Sequence, residues 1–294
     1  MFKNILALVR VKQWIKNFFV LIPLFFAGKL QDPNSIFMGL SAFFAFNFFS
    51  SIVYIINDLY DIEADRKHPR KKSRPLPAGK ISMAVAIIIA IILFIFGSII
   101  GILLNLQFSI CLGLYLMLNV FYTFWGKHIV ILDVLCIATG FVLRVIGGSL
   151  AILAIPSNWI MMTTFFISLF MGFGKRRNEF IFLEKNKGLH RKVLNQYDKS
   201  LLNHLIFISC SIAIISYAMY TISPSVIDKF NNGKMLIYTV PIVTFLLYRY
   251  AFILWKKDEG DPTEIVIKDI GIILSGLLWV FVTVGLIYLP WKIM

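Results

Sequence analysis

The chain is built from stretches of mostly apolar residues, each near the length of about 20 that a helix needs to cross a bilayer. They lie at 18–30, 36–57, 82–104, 108–125, 130–154, 159–174, 201–222, 235–254 and 270–290. Runs such as 87–102 lack the apolar/polar alternation of a barrel strand. In lipid only helices and closed barrels satisfy the backbone. The expected fold is an all-α integral membrane protein of about nine transmembrane helices, a single polytopic domain over 1–294. Composition agrees: 59% of the 294 residues are hydrophobic and 15% charged, against about 25% charged in soluble domains. This excludes a soluble enzyme, a disordered chain and a disulfide scaffold. Cys111, Cys136 and Cys210 sit in apolar stretches without metal-type spacing. No cleavable leader is expected, because Arg10, Lys12 and Lys16 break the first apolar run.

The net charge of +14 is unevenly spread. The N-terminus and the stretches 58–81, 126–129, 175–200 and 255–269 hold 23 of the 29 Lys+Arg, and the intervening loops with the C-terminus hold four. Positive loops stay inside, so the N-terminus and the long polar loops are expected in the cytoplasm. A basic soluble chain would suggest nucleic acid. Here the charge suits an anionic membrane surface, a strongly anionic substrate, or both, and no nucleic-acid partner is expected. Thirteen of the 15 acids, Asp133 included, fall on the same side, which a purely basic anchor would not require.

The strongest chemical signal is Asn57-Asp58-Leu59-Tyr60-Asp61-Ile62-Glu63-Ala64-Asp65. Asp58, Asp61 and Asp65 share one face of a helix, and Tyr54 and Asn57 continue the stripe into the membrane. Stacked carboxylates repel unless a cation bridges them, and hard oxygen donors suit Mg²⁺. A solvated helix end balanced by the following cations is the plainer alternative. Polar groups at membrane depth weigh against it.

The next stretch, 66–80, holds six basic residues within 66–74, and its prolines and Gly79 forbid a continuous helix. Lys71 and Arg74 could clamp phosphates there, or anchor the loop at the membrane surface. A second basic segment, Gly172-Phe173-Gly174-Lys175-Arg176-Arg177-Asn178-Glu179, is followed by His190-Arg191-Lys192 and Tyr197. Its glycines suggest a shaped turn. Arg144 lies near the middle of an apolar span, where a charge costs at least about 2.5–3.5 kcal/mol, so it should face a cavity or an anion. Asp133, eleven positions earlier, is too distant to pair with it. Lys127 follows Tyr122 at the end of the fourth span. Lys16 and Asn17 stand at the start of the first and read as interfacial anchors or phosphate ligands. No Walker-type loop, no Gly-x-Ser-x-Gly and no ligand spacing of histidines occurs.

The acidic motif followed by Arg74-Pro75-Leu76-Pro77-Ala78-Gly79 resembles the UbiA superfamily of intramembrane prenyltransferases. Lys12-Gln13-Trp14-Ile15-Lys16-Asn17, Leu132-Asp133 with Gly140-Phe141-Val142-Leu143-Arg144, and Gly174 to Glu179 are similar to its decaprenyl-phosphate phosphoribosyltransferase branch. Val11 stands where that branch often has proline. Members that prenylate aromatic rings usually carry a second Asp-rich motif where this chain has Gly174 to Glu179, which favours the phosphoribosyl branch.

The resemblance implies a UbiA-like bundle around a central cavity open to the cytoplasm, in a bacterial inner membrane. The implied reaction moves 5-phosphoribose from phosphoribosyl pyrophosphate to a polyprenyl (decaprenyl or undecaprenyl) phosphate with Mg²⁺. Pyrophosphate is released, and the lipid product would serve cell-envelope glycan synthesis. Prenyl transfer from a prenyl diphosphate to an aromatic acceptor is the alternative. A homotrimer is compatible with the resemblance. The expected catalytic residues are Asp58 and Asp61, and the expected metal set is Asn57, Asp58, Asp61 and Asp65. Lys16, Asn17, Tyr54, Lys71, Arg74, Lys175, Arg176 and Arg177 are expected on the ribosyl donor. Tyr122, Lys127 and Arg144 are expected on the lipid phosphate.

Overall fold

The computed structural model describes residues 1–67, 71–185, 196–256 and 268–289, with backbone only at 182–185. All regular structure among them is helical. The α-helices are α1 (Phe2–Leu8), α2 (Ile22–Phe26), α3 (Pro33–Tyr60), α4 (Ile62–Lys67), α5 (Met83–Leu104), α6 (Leu106–Phe124), α7 (Leu132–Ala151), α8 (Asn158–Lys185), α9 (Lys199–Thr221), α10 (Pro224–Ile227), α11 (Val240–Lys256) and α12 (Ile270–Tyr288). Short 3-10 segments occur at Val11–Leu21, Lys71–Ser73, Gly126–His128 and Gly233–Thr239.

Seven segments among the described residues are long and apolar enough to cross a membrane: α3, α5, α6 with the turn after it, α7, α9, α11 with the turn before it, and α12. Two of the nine expected spans differ. The segment 18–30 is broken: a 3-10 run ends at Leu21, and α2 starts with Pro23 in its first turn. The segment 159–174 lies within α8, which continues to Lys185. The glycines at 172 and 174 therefore make no turn, contrary to the expectation. They allow close packing: a Cβ on Gly172 would stand 2.5 Å from Val134 Cγ1, and one on Gly174 would stand 3.0 Å from a Leu254 methyl. Lys175, Arg176 and Arg177 are thus helical residues rather than loop residues.

The chain forms two compact units. The first comprises Met1–Lys127 with Gly140–Pro156, and the second His128–Thr139 with Ser157–Met294. In the first, α3 is the central helix and packs on α5, α6 and the 3-10 segment Val11–Leu21. Asp32 starts it by accepting from the backbone N–H groups of Asn34 and Ser35, with Pro33 in the first turn. Asn105 joins α5 to α6: its side chain accepts from Phe108 N–H and donates to Leu150 O. Phe46, Phe49, Ile52, Phe108, Leu112 and Tyr115 form the main core. The 140–151 part of α7 approaches closely because Gly148 has no side chain; a Cβ there would lie 1.9 Å from Val20 O.

In the second unit α8 packs on α9 and α11 on α12, with the Phe170 and Tyr250 rings edge to face at 5.2 Å. Asp198 caps α9 and Asp269 caps α12. The Arg249 hydrogen bond holds the Asp269 carboxyl below its ordinary range. All three cysteines are buried and free.

Candidate functional site

A polar stripe runs down the apolar helix α3 at helical spacing: Asn47, Ser50, Ser51, Tyr54, Asn57 and Asp58, with Asp61 at the C-terminal cap. The helix stops at Tyr60 and α4 begins at Ile62. Asp58, Asp61 and Asp65 therefore do not share one continuous helical face, and the expected three-carboxylate stack is divided.

Asp58 is 1% exposed and bonds the guanidinium of Arg10, as well as Arg74 Nη1 at 3.1 Å. Asp65, also buried, takes Arg74 Nη1 at 2.6 Å and Lys71 Nζ at 3.4 Å. Arg74 thus ties the first carboxylate to the third. The loop that carries it is anchored by Leu76, buried among Leu8, Ile55, Ile81 and Ala86, and is closed by backbone bonds from Ala78, Gly79 and Lys80. Arg10 also lies over the Tyr54 ring, 4.6 Å from its centroid. The positions expected to clamp phosphate, Lys71 and Arg74, instead hold acids together.

Asp61 stands apart from that ladder. Lys127 Nζ donates to both its oxygens, at 2.8 and 2.9 Å, and lies over the Tyr60 ring. Asn57 is one turn earlier and half-buried. Lys16 is half-buried as well; Tyr122, also half-buried, takes no part in these bonds.

Arg144 is 7% exposed in α7. Its Nε donates to Asn17 Oδ1 at 2.6 Å, Nη1 to Gly140 O at 2.8 Å and Nη2 to Tyr115 OH at 2.8 Å. Its guanidinium also lies over the Tyr115 and Phe141 rings. All three bonding partners are neutral, and no carboxylate pairs with it among the described residues. Lys127 and Arg144, both expected on one lipid phosphate, belong to different networks. The expectation that Arg144 meets something other than Asp133 agrees with the structure.

In the second unit Asp133 takes Arg176 Nε at 2.6 Å and the Tyr197 hydroxyl at 2.7 Å. Arg176 also bonds Glu179. Tyr197 accepts from the N–H of Ile131, whose φ of 69° is left-handed and uncommon for a β-branched residue. Burial and the Asp133 carboxylate push the Tyr197 phenol above its ordinary range. Arg177 bonds Asn203 and Leu254 O and stacks on Trp255. Arg176 and Arg177 are both buried, so these two expected phosphate ligands are committed to protein partners. Lys175 is half-buried. His190, Arg191 and Lys192 lie outside the described residues.

The model of the UbiA prenyltransferase family matches residues 17–268. The chain belongs to this family. It is 32% identical over 289 residues to the decaprenyl-phosphate phosphoribosyltransferase of Corynebacterium glutamicum, covering 96% of this chain and 86% of that protein. It is 31% identical to the enzyme of that name from Mycolicibacterium smegmatis, covering 94% and 90%. The structure of a UbiA homolog from Archaeoglobus fulgidus bound to GPP and Mg²⁺ superposes with a TM-score of 0.73 at 20% identity, covering 96% of this chain and 99% of that one; this shows the shared fold. The chain is a UbiA superfamily transferase and a multi-pass membrane protein.

Its residues can be tested against the Mg²⁺ seen in that relative. Among the described residues no three of His, Cys, Asp and Glu come together as a metal site. Mg²⁺ does not require one, since it typically takes one or two carboxylates and completes its shell with water and substrate phosphates. Asp61, whose side chain is 20% exposed, and Asn57 fit that role. Asp58 and Asp65 fit it poorly, being held by arginines. Arg10 and Asn47 join the site beyond the residues expected from the sequence. The i+3/i+4 spacing from Asn47 through Ser50 and Tyr54 to Asn57 was the available signal for Asn47.

Proposed function

We propose that this UbiA-family transferase moves 5-phosphoribose from phosphoribosyl pyrophosphate to a polyprenyl phosphate and releases pyrophosphate. The observation that carries the reading is Arg144, a buried cation whose bonding partners are all neutral. It suits a substrate that brings phosphate into the first unit. The relatives from C. glutamicum and M. smegmatis, named decaprenyl-phosphate phosphoribosyltransferases, support a polyprenyl phosphate acceptor and a phosphoribosyl group.

Asn57 and Asp61 would hold Mg²⁺ on the donor diphosphate, where it neutralises charge on the leaving group. With Asp61 engaged on the cation, Lys127 would be available to the lipid phosphate beside Tyr122. Lys16, Asn17 and Tyr54 line the donor, and Arg10 fixes the Tyr54 ring. Lys175 remains a proposed phosphate ligand. An oxygen of the lipid phosphate forms a bond to ribose C1 as the bond from C1 to the diphosphate oxygen breaks, and that electron pair leaves with pyrophosphate. The attacking oxygen is already ionised, so no general base is required, and positioning supplies much of the rate. The N-terminus and the loop after α3 would face the cytoplasm of a bacterial inner membrane, where the soluble donor is available.

The test offers two substrate pairs to the purified protein: phosphoribosyl pyrophosphate with undecaprenyl phosphate, and a prenyl diphosphate with an aromatic acid. Product from the first pair alone is expected. Product from the second alone would establish aromatic prenylation instead.

A further inference from the structure

The buried network around Arg144 extends beyond the residues assigned above. Arg144 Nε can only donate, so the atom of Asn17 facing it is Oδ1. The Asn17 amide is thereby oriented, and its Nδ2 donates to Asn47 Oδ1 at 2.6 Å and to Ser50 Oγ at 3.0 Å. That fixes the Asn47 amide in turn, since the atom meeting Asn17 must accept. Asn47 is 0% exposed, and its Nδ2 has no hydrogen-bond partner among the described residues. A buried amide donor without an acceptor is costly to leave unmade. Two features therefore meet within two hydrogen bonds of each other: a cation that has no counter-ion, and a donor that has no acceptor, among the described residues. Both ask for a buried oxyanion.

The position of this pair decides which oxyanion. Asn47 precedes Asn57 by ten residues on the same helix, about 15 Å along the axis. Side chains at both positions lean toward the helix N-terminus, so the separation holds at their tips. The acceptor phosphate must touch C1, next to the diphosphate at Asn57 and Asp61. A site this far along α3 suits a phosphate at the other end of the donor.

We propose that Asn47 and Arg144 form an oxyanion site for a sugar 5-phosphate, separate from the Asn57–Asp61 end, with Asn47 Nδ2 donating to a phosphate oxygen. The assignment to the 5-phosphate rests on the phosphoribosyl reading; the existence of the site does not. It revises the expected placing of Arg144 on the lipid phosphate.

Binding of ribose 5-phosphate to the full chain in detergent tests this without any turnover. Asn47→Asp keeps the acceptor for Asn17 and replaces the free donor with a negative oxygen. Asn47→Ala removes both, and melting without ligand reports whether each variant is folded. Folded Asn47→Asp should bind ribose 5-phosphate roughly ten- to a hundredfold more weakly than wild type, with undecaprenyl phosphate binding unchanged. Loss of undecaprenyl phosphate binding instead would make this the lipid phosphate site and overturn the proposal. Equal ribose 5-phosphate binding by wild type and both variants, or none by wild type, would also overturn it. If ribose 5-phosphate binds in an Asn47-dependent way while no phosphoribosyl transfer occurs, the site stands and the functional reading fails.

Discussion

Lys127 Nζ sits 2.8 Å from one oxygen of Asp61 and 2.9 Å from the other, although the two residues are 66 positions apart. Asp61 has no other ion pair among the described residues, whereas Asp58 and Asp65 share Arg74. On the proposed reading this is the carboxylate that exchanges its lysine for Mg²⁺. Asp61→Asn should lower turnover by roughly three orders of magnitude or more, the scale of losing several kcal/mol of charge stabilisation. A transfer assay on a variant with unchanged melting checks this; wild-type turnover at saturating Mg²⁺ would sink the Asp61 assignment.

Asp58 should behave differently. Its partners Arg10 and Arg74 are about a quarter exposed, so Asp58→Asn should cost about 1–3 kcal/mol, less than the 3–5 of a fully buried pair. The Mg²⁺ concentration giving half-maximal turnover should not move. A shift of that midpoint without a fall in melting temperature would make Asp58 a metal ligand after all.

Arg176 and Asp133 are both buried in the second unit. Arg176→Gln leaves Asp133 without its counter-charge, so a loss of about 3–5 kcal/mol is expected. The remaining folded protein should keep its donor KM. Unchanged melting with a raised donor KM would return Arg176 to the list of phosphate ligands.

Gly148→Ala would press a methyl group onto the Val20 carbonyl, a backbone atom that cannot swing aside. It should destabilise by about 1–3 kcal/mol or more. Gly113 in α6 has nothing within 4 Å of an added Cβ, so Gly113→Ala should be neutral or stabilising by about 0.5–1 kcal/mol. Thermal melting of the pair in one detergent checks both. Equal melting temperatures would contradict a tight contact between α7 and the Val20 carbonyl.

Much of this was legible in the chain because lipid imposes a strict rule: long apolar runs become helices, and polar groups inside them need a reason. That rule exposed the Tyr54–Asn57–Asp61 stripe and Arg144. It did not reveal which charges neutralise each other. Arg10 is 48 residues from Asp58 and Arg176 is 43 from Asp133, and no local pattern encodes such pairs. Arg176 and Arg177 read as open cations because their segment was expected to be a loop. Once α8 continues through Gly172 and Gly174, both side chains are carried into the interior of the second unit. Asn47 stands as one polar residue in an apolar run, and its spacing to Ser50, Tyr54 and Asn57 continues the same face.

Transfer of the ribosyl group is followed with a donor labelled twice, carbon-14 in the ribose and phosphorus-32 in the β-phosphate, incubated with the purified protein and undecaprenyl phosphate. Carbon-14 is expected to enter the organic phase while phosphorus-32 stays in water as pyrophosphate, and both events are expected to require Mg²⁺ and the Asp61 carboxylate. Phosphorus-32 entering the lipid, or carbon-14 remaining in water with folded protein, would contradict that transfer.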